Sequence, residues 1–205
     1  MSGLEMLPGN KVKEEYIYPT NKDALALMPE HALSDWSQSR EAMLRWTSYS
    51  VAWADLGTIE LIRAQKADEP ELAHDHYVAS KEDTLKALAN SPSNSFYWLR
   101  LAQVDVLLEA SPAVVLTSLC NSIRTAPYEP IALYPRLLIG FTYWDNATPD
   151  QQEEILSQIK LLVPAGRLDG LENLARRFPS WIPVLRSELA GNDLAQRVIS
   201  RAENN

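Results

Sequence analysis

Apolar residues recur at three- and four-residue steps through most of this chain, the spacing that puts them on one side of an α-helix. Trp36, Met43, Leu44, Trp46, Val51, Trp53, Leu56, Ile59 and Ile62 form the first such run. Ser34, just before it, is the expected N-cap, and Gly57 is expected to divide the run into two helices. A second helix is expected over residues 71–90, with Tyr77, Thr84, Leu85 and Leu88 facing inward. Further helices follow over 97–109, 113–125, 131–143 and 149–162, each bounded by proline or a Ser, Asn, Asp or Thr cap. No alternating segment of useful length survives, so the expected fold is all-α. Residues 1–18 mix charge, Pro and Gly without period and form a loose arm. Residues 19–205 are then one helical domain.

Three helix ends are spelled alike: ALALMP at 24–29, ALANSP at 87–92 and SIRTAP at 122–127. Each places apolar and small residues on a last turn, then a proline that cannot continue it. Pro92 and Pro127 lie 35 residues apart, and Pro29 and Pro92 lie 63 apart, close to two such periods. A period near 34 with two helices per unit is the mark of tetratricopeptide (TPR) repeats. Six residues after Pro92 stands Trp98, followed by Leu101 and Ala102 at the places the repeat asks for. Leu119, Ser122 and Pro127 supply the second helix after a one-residue insertion. Asp105 replaces the usual Tyr, and Leu133 stands where the next Trp belongs. The chain thus resembles a degenerate TPR protein over roughly residues 20–145, which implies a right-handed array of antiparallel helix pairs.

A narrower string, Ser122, Ile123, Pro127, Glu129, Arg136 and Trp144, resembles a bacterial group of exopolysaccharide-biosynthesis accessory proteins with TPR-like helices. Members of that group usually carry a membrane-spanning segment near the N-terminus. None is expected here: the longest uncharged stretch, residues 110–123, has 14 residues and contains a proline, against about 20 needed to span. No apolar leader is visible in MSGLEMLPGNKVKEEYIYP either.

Charge narrows the function. The formal net charge is −8, which disfavours nucleic acid as a partner because phosphates must be neutralised. Residues 160–205 hold seven Lys/Arg against five Asp/Glu, leaving 12 basic and 22 acidic residues in 1–159. The single cysteine, Cys120, lies in an apolar run and is expected to be a small core residue.

Candidate chemistry is sparse. Glu71, His74, Asp75 and His76 are metal-ligand types, but on a helix His74 and His76 point about 200° apart, whereas a helical pair for metal needs i, i+4 spacing. No glycine-flanked nucleophile and no Gly-rich phosphate loop occurs. The carboxylate pairs Glu14/Glu15, Asp68/Glu69, Glu82/Asp83 and Glu153/Glu154 are sequence neighbours and do not face one another. The expected protein has no catalytic, metal or cofactor site, and the six tryptophans serve mainly as core.

The sequence therefore points to a non-catalytic scaffold or adaptor, cytoplasmic or held at a membrane by its partner. In TPR proteins the first helix of each unit lines the binding face. The resemblance thereby implies partner contacts at Arg100 and Gln103, and at Arg136 in the next unit. Subunits of a larger assembly and regulatory subunits of a glycosylation complex are the alternatives. Residues 165–205 are expected to form a C-terminal capping pair of helices, with Trp181 mostly buried and Arg176, Arg177, Arg186, Arg197 and Arg201 on the outside.

Overall fold

The computed structural model describes residues 28–203; the loose arm expected over 1–18 lies outside them. The described residues form ten α-helices, two short 3-10 turns and no strand. The all-α expectation holds. The chain divides into two compact units, residues 28–93 with 104–109, and residues 94–103 with 110–203.

The first unit contains α1 (Glu30–Leu44), α2 (Ser50–Lys66) and α3 (Pro70–Asn90). Helix α1 starts at Glu30, after Pro29, so Ser34 lies inside the helix and is not its cap. The break between α1 and α2 falls at residues 45–49, a stretch of Arg, Trp, Thr, Ser and Tyr with modest helix propensity. Gly57 does not break anything. It sits in the middle of α2 where α3 crosses: a Cβ there would meet Ser80 O and Thr84 Oγ1 at 3.1 Å. Ser80 Oγ donates to Gly57 O at 2.7 Å, so the missing side chain lets the two backbones share a hydrogen bond.

Helix α2 is buried on two sides, by α1 and by α3. Met28, Leu33, Trp36, Leu56, Ile59 and Ile62 form the α1–α2 core. Within it Arg40 Nε donates to Asp55 Oδ2 at 2.7 Å and Trp36 Nε1 to the same oxygen at 3.3 Å. A buried cation and carboxylate satisfy each other there, which is the condition for burying either. Trp46 departs from its expected core position, being 63% exposed beyond the end of α1. Leu85 is 46% exposed and does not face inward, although Thr84 and Leu88 do.

The second unit opens with the first part of α4 (Ser95–Leu107), whose last residues belong to the first unit. It continues with α5 (Pro112–Thr125), α6 (Leu133–Thr142), α7 (Pro149–Leu161), α8 (Leu168–Arg177), α9 (Ile182–Glu188) and α10 (Asp193–Glu203). Sequence signals for these starts are sound. Pro112 and Pro149 stand at first-turn positions, and Thr148 with Gln151 forms a reciprocal capping box. Ser122 Oγ near the end of α5 donates to Ser95 O at the start of α4, 2.8 Å away. That bond joins opposite ends of the two helices, as in an antiparallel pair, and Ala102 is fully buried on α4. Gly140 lets α6 close on α7, since a Cβ would lie 2.7 Å from Ile155 Cγ2.

The end of the chain packs as a pair of amphipathic helices. Leu171, Leu174 and Ala175 of α8, and Ala195, Val198, Ile199 and Ala202 of α10, turn inward. Trp181 is half-buried, stacked on Phe141 at 4.0 Å and edge-on to Trp144 at 4.7 Å. Arg176, Arg177, Arg197 and Arg201 are exposed. Arg186 is partly covered instead, reaching Ser200 Oγ at 3.1 Å and Glu203 Oε2 at 2.8 Å.

Candidate functional site

Of the three residues expected to meet a partner, Arg136 is placed elsewhere. Its side chain is 0% exposed. Nε donates to Ser122 Oγ at 3.1 Å, Nη2 to Ser122 O at 2.7 Å, and Nη1 to Ala126 O at 2.9 Å and to Gln158 Oε1 at 3.0 Å. The guanidinium fork thus gathers two carbonyls and a hydroxyl at the end of α5 and a side chain of α7 from a position on α6. Burial lowers its pKa from the ordinary value to about 10, and the Glu129 charge offsets part of that. Arg136 is a structural clamp and not a surface contact. Gln158 completes it, passing a hydrogen bond from Nε2 to Pro127 O at 3.2 Å.

Arg100 and Gln103 are on the surface side of α4 and half-buried. Phe96 lies on the same stripe, four residues before Arg100 and seven before Gln103, and is 41% exposed. Asn94 caps this end of the helix, its Oδ1 accepting from Phe96 N at 3.0 Å. An apolar ring, a guanidinium and an amide therefore follow one another along one face. The neighbouring faces point inward: Tyr97, Leu101 and Ala102 are buried. Asp105 is also buried, with Lys81 Nζ of α3 2.7 Å from Oδ1. That contact is a charge pair only, because neither carboxylate oxygen accepts a hydrogen bond. The acid keeps its buried place by drawing in a lysine.

The first unit holds an open cleft of about 420 Å³ lined by Glu30, Arg63, Lys66, Ala67, Leu72 and His76. Its charges are mutually committed. Arg63 donates to Glu30 Oε1 at 2.8 Å and to Glu60 Oε1 at 2.8 Å, and Glu60 Oε2 meets His76 Nδ1 at 2.6 Å. Burial pulls the Arg63 pKa down, but hydrogen bonds to Glu30 and Glu60 outweigh it and the net shift is upward. Of the two cations of the cleft, Arg63 holds two carboxylates and Lys66 donates to Met28 O. His74 is exposed while His76 is tied to Glu60, so the two histidines are not brought together. Among the described residues no group of three or more His, Cys, Asp or Glu is arranged to hold a metal ion.

Cys120 is buried, as its apolar run implied. Burial first, then the Glu154 carboxylate beside it, pushes its thiol up to about 12, against a smaller opposite pull from Arg124. A thiol held neutral is a poor nucleophile. No described helix is long and apolar enough to cross a membrane.

Comparison with protein-family models, with curated proteins and with solved structures returned no match. Three structural residues escaped the sequence signals. The Arg40–Asp55 pair and the Arg136 clamp are charged residues at helix positions that read as solvent-facing by type. Only their helical phase relative to Trp36 and to Leu137 hinted at burial.

Proposed function

We propose that the protein is a non-catalytic helical scaffold that binds a partner protein through the α4 face bearing Phe96, Arg100 and Gln103. The observation that carries this is the position of those residues on one stripe, at i, i+4 and i+7, with an exposed aromatic beside an arginine. Aromatic and Arg side chains are the usual energetic anchors of protein interfaces. An Arg on such a face takes a partner carboxylate in a two-pronged pair. The TPR-like arrangement draws support from the Ser122–Ser95 tie and from Ala102 at full burial.

A bacterial envelope polysaccharide system is the setting we favour, on the string from Ser122 to Trp144. Two of its members, Ser122 and Arg136, hydrogen-bond each other at 3.1 Å, so the string describes a packing unit. Work at that site takes place in the cytoplasm or at a membrane that the partner provides.

The test is retention of a partner by immobilised full-length protein, compared with an Arg100→Glu/Gln103→Glu variant of unchanged circular dichroism. Loss of one specific protein from the variant eluate supports the proposal. Identical eluates would count against this face.

A further inference from the structure

Helix α3 is covered by the protein on one side only. The helix buries Ser80, Thr84, Ala87 and Leu88. Directly opposite, Glu71, Asp75, Val78, Glu82, Leu85 and Ala89 follow one another at alternating steps of four and three residues. That is the spacing of a coiled-coil seam, the narrow stripe one helix presents to another. All six are exposed, Val78 at 37% and Leu85 at 46%. Any one face of a helix has these steps; what marks this face is that two aliphatic side chains, Val78 and Leu85, stand exposed on it while the core face is already filled.

The seam is divided by chemistry. Its N-terminal half is acidic and its C-terminal half is apolar, with Glu82 between the two apolar positions. Asp68 and Glu69 extend the acidic end, and both are exposed. Among the described residues none of Glu71, Asp75 and Glu82 has an ion-pair partner; Lys81 is committed to Asp105 and Lys86 to Asp83. Three unpaired carboxylates along one seam set the sign of whatever lies against it.

We infer that α3 docks an amphipathic helix of a partner protein whose facing stripe carries Lys or Arg opposite Glu71, Asp75 and Glu82 and aliphatic residues opposite Val78 and Leu85. A second copy of this chain does not fit. Paired in parallel, two seams set carboxylate on carboxylate; paired antiparallel, they set Asp75 against Leu85 and Glu82 against Val78, burying acids without cations. Nucleic acid and anionic lipid are repelled by the same charges. The inference shares with the proposed function the idea of a protein-binding scaffold but uses a different helix, so each surface fails or stands separately.

The probe is a synthetic helical peptide with Leu and Lys on the complementary stripe, made in parallel and antiparallel versions, with a Lys→Glu counterpart of each. Fluorescence anisotropy against full-length protein reads the affinity. One Lys peptide is expected to bind, and to bind at least about tenfold more weakly when salt rises from 50 to 300 mM, roughly as three ion pairs demand. Val78→Ser/Leu85→Ser should weaken it about tenfold as well. Glu71→Lys/Asp75→Lys/Glu82→Lys should reverse the preference, taking the Glu peptide and rejecting the Lys peptide. All of these positions are exposed, and unchanged circular dichroism confirms the fold. Equal binding of either peptide by wild type and the charge-reversed variant overturns the inference, as does a Kd weaker than about 1 mM for both versions. Concentration-dependent dimers abolished by Leu85→Ser would assign the face to a second copy instead. An affinity gained only on removing residues 1–27 would assign it to the chain's own N-terminal segment. The Arg100/Gln103 face is intact in every variant, so partner retention through α4 is unaffected by any of these results.

Discussion

Replacing Arg136 by Met keeps most of the volume and removes every donor of the clamp. Two acceptors then lose their donor, Ala126 O and Gln158 Oε1, whereas Ser122 O keeps Ala126 N at 3.4 Å and Thr125 Oγ1 at 3.3 Å. Each orphaned acceptor costs on the order of 1–3 kcal/mol, so the gross loss is roughly 2–6 kcal/mol. Against this, the native protein bears the cost of a buried cation. A pKa lowered from the ordinary arginine value to about 10 corresponds to about 3 kcal/mol at neutral pH. The Met variant escapes that burden. Rotation of the Gln158 amide and entry of water offset part of the rest, leaving an expected net destabilisation of about 1–2 kcal/mol. Arg136→Lys should fall between, since one ammonium cannot reach all the acceptors that the planar fork spans. Urea unfolding followed by far-UV circular dichroism measures this, with the midpoint moving and the slope unchanged. A change below about 0.5 kcal/mol, or a gain in stability, would refute the account of Arg136 as the joint between α5, α6 and α7. The linked pH effect has a definite sign. The folded pKa lies below the unfolded one, so the burden is present at neutral pH and is relieved only as pH rises past about 10.

Three other outcomes are expected. Gly140→Val should destabilise by about 1–3 kcal/mol in the same assay, because its branches would meet Ile155, already 2.7 Å from a single Cβ; a neutral result would mean that α6 and α7 are less closely packed. Cys120 should resist a thiol reagent at pH 8 in the native protein and react fully in urea, since its thiol is held up to about 12. Its contribution to stability is then complete below the ordinary thiol range near 8.5 and lost as pH climbs from there toward 12; stoichiometric native labelling at pH 8 would contradict this. Deleting residues 165–205 uncovers Phe141, which stacks on Trp181, together with the partners of Leu171 and Leu174; insoluble or partly unfolded protein is expected, and a monomer with unchanged Tm would show the segment to be a separate tail.

Helix starts were legible wherever the signal was local and covalent in origin. Pro70, Pro112 and Pro149 stand in first turns, and the capping box at Thr148 needs only its own four residues. The amphipathic stripes of α8 and α10 were legible for a related reason: one side of each is water, so the period is clean. Helix α2 defeated the same logic. With α1 on one side and α3 on the other, its apolar residues lose a single phase, and Gly57 looked like a break where it is a crossing point. Ser34 failed as a cap because Pro29 opened the helix a turn earlier. Arg136 is not legible because residue type alone says surface, while four acceptors at the end of α5 and on α7 make an interior site for it. Trp46 and Leu85 show the converse, apolar side chains left outside, Trp46 because the helix ends before it and Leu85 by the phase of its helix.

The claim that α4 presents a partner-binding face is tested most directly by site-specific crosslinking. A photoreactive phenylalanine analogue replaces Gln103 in the full-length protein, and a control carries it at Ser157, an exposed position of α7. Both are irradiated in extracts of the cells that make the protein. The account predicts one dominant covalent adduct at position 103, absent at 157 and abolished by Arg100→Glu. The same faint, mixed adducts at both positions, or a strong adduct that Arg100→Glu leaves untouched, would contradict it.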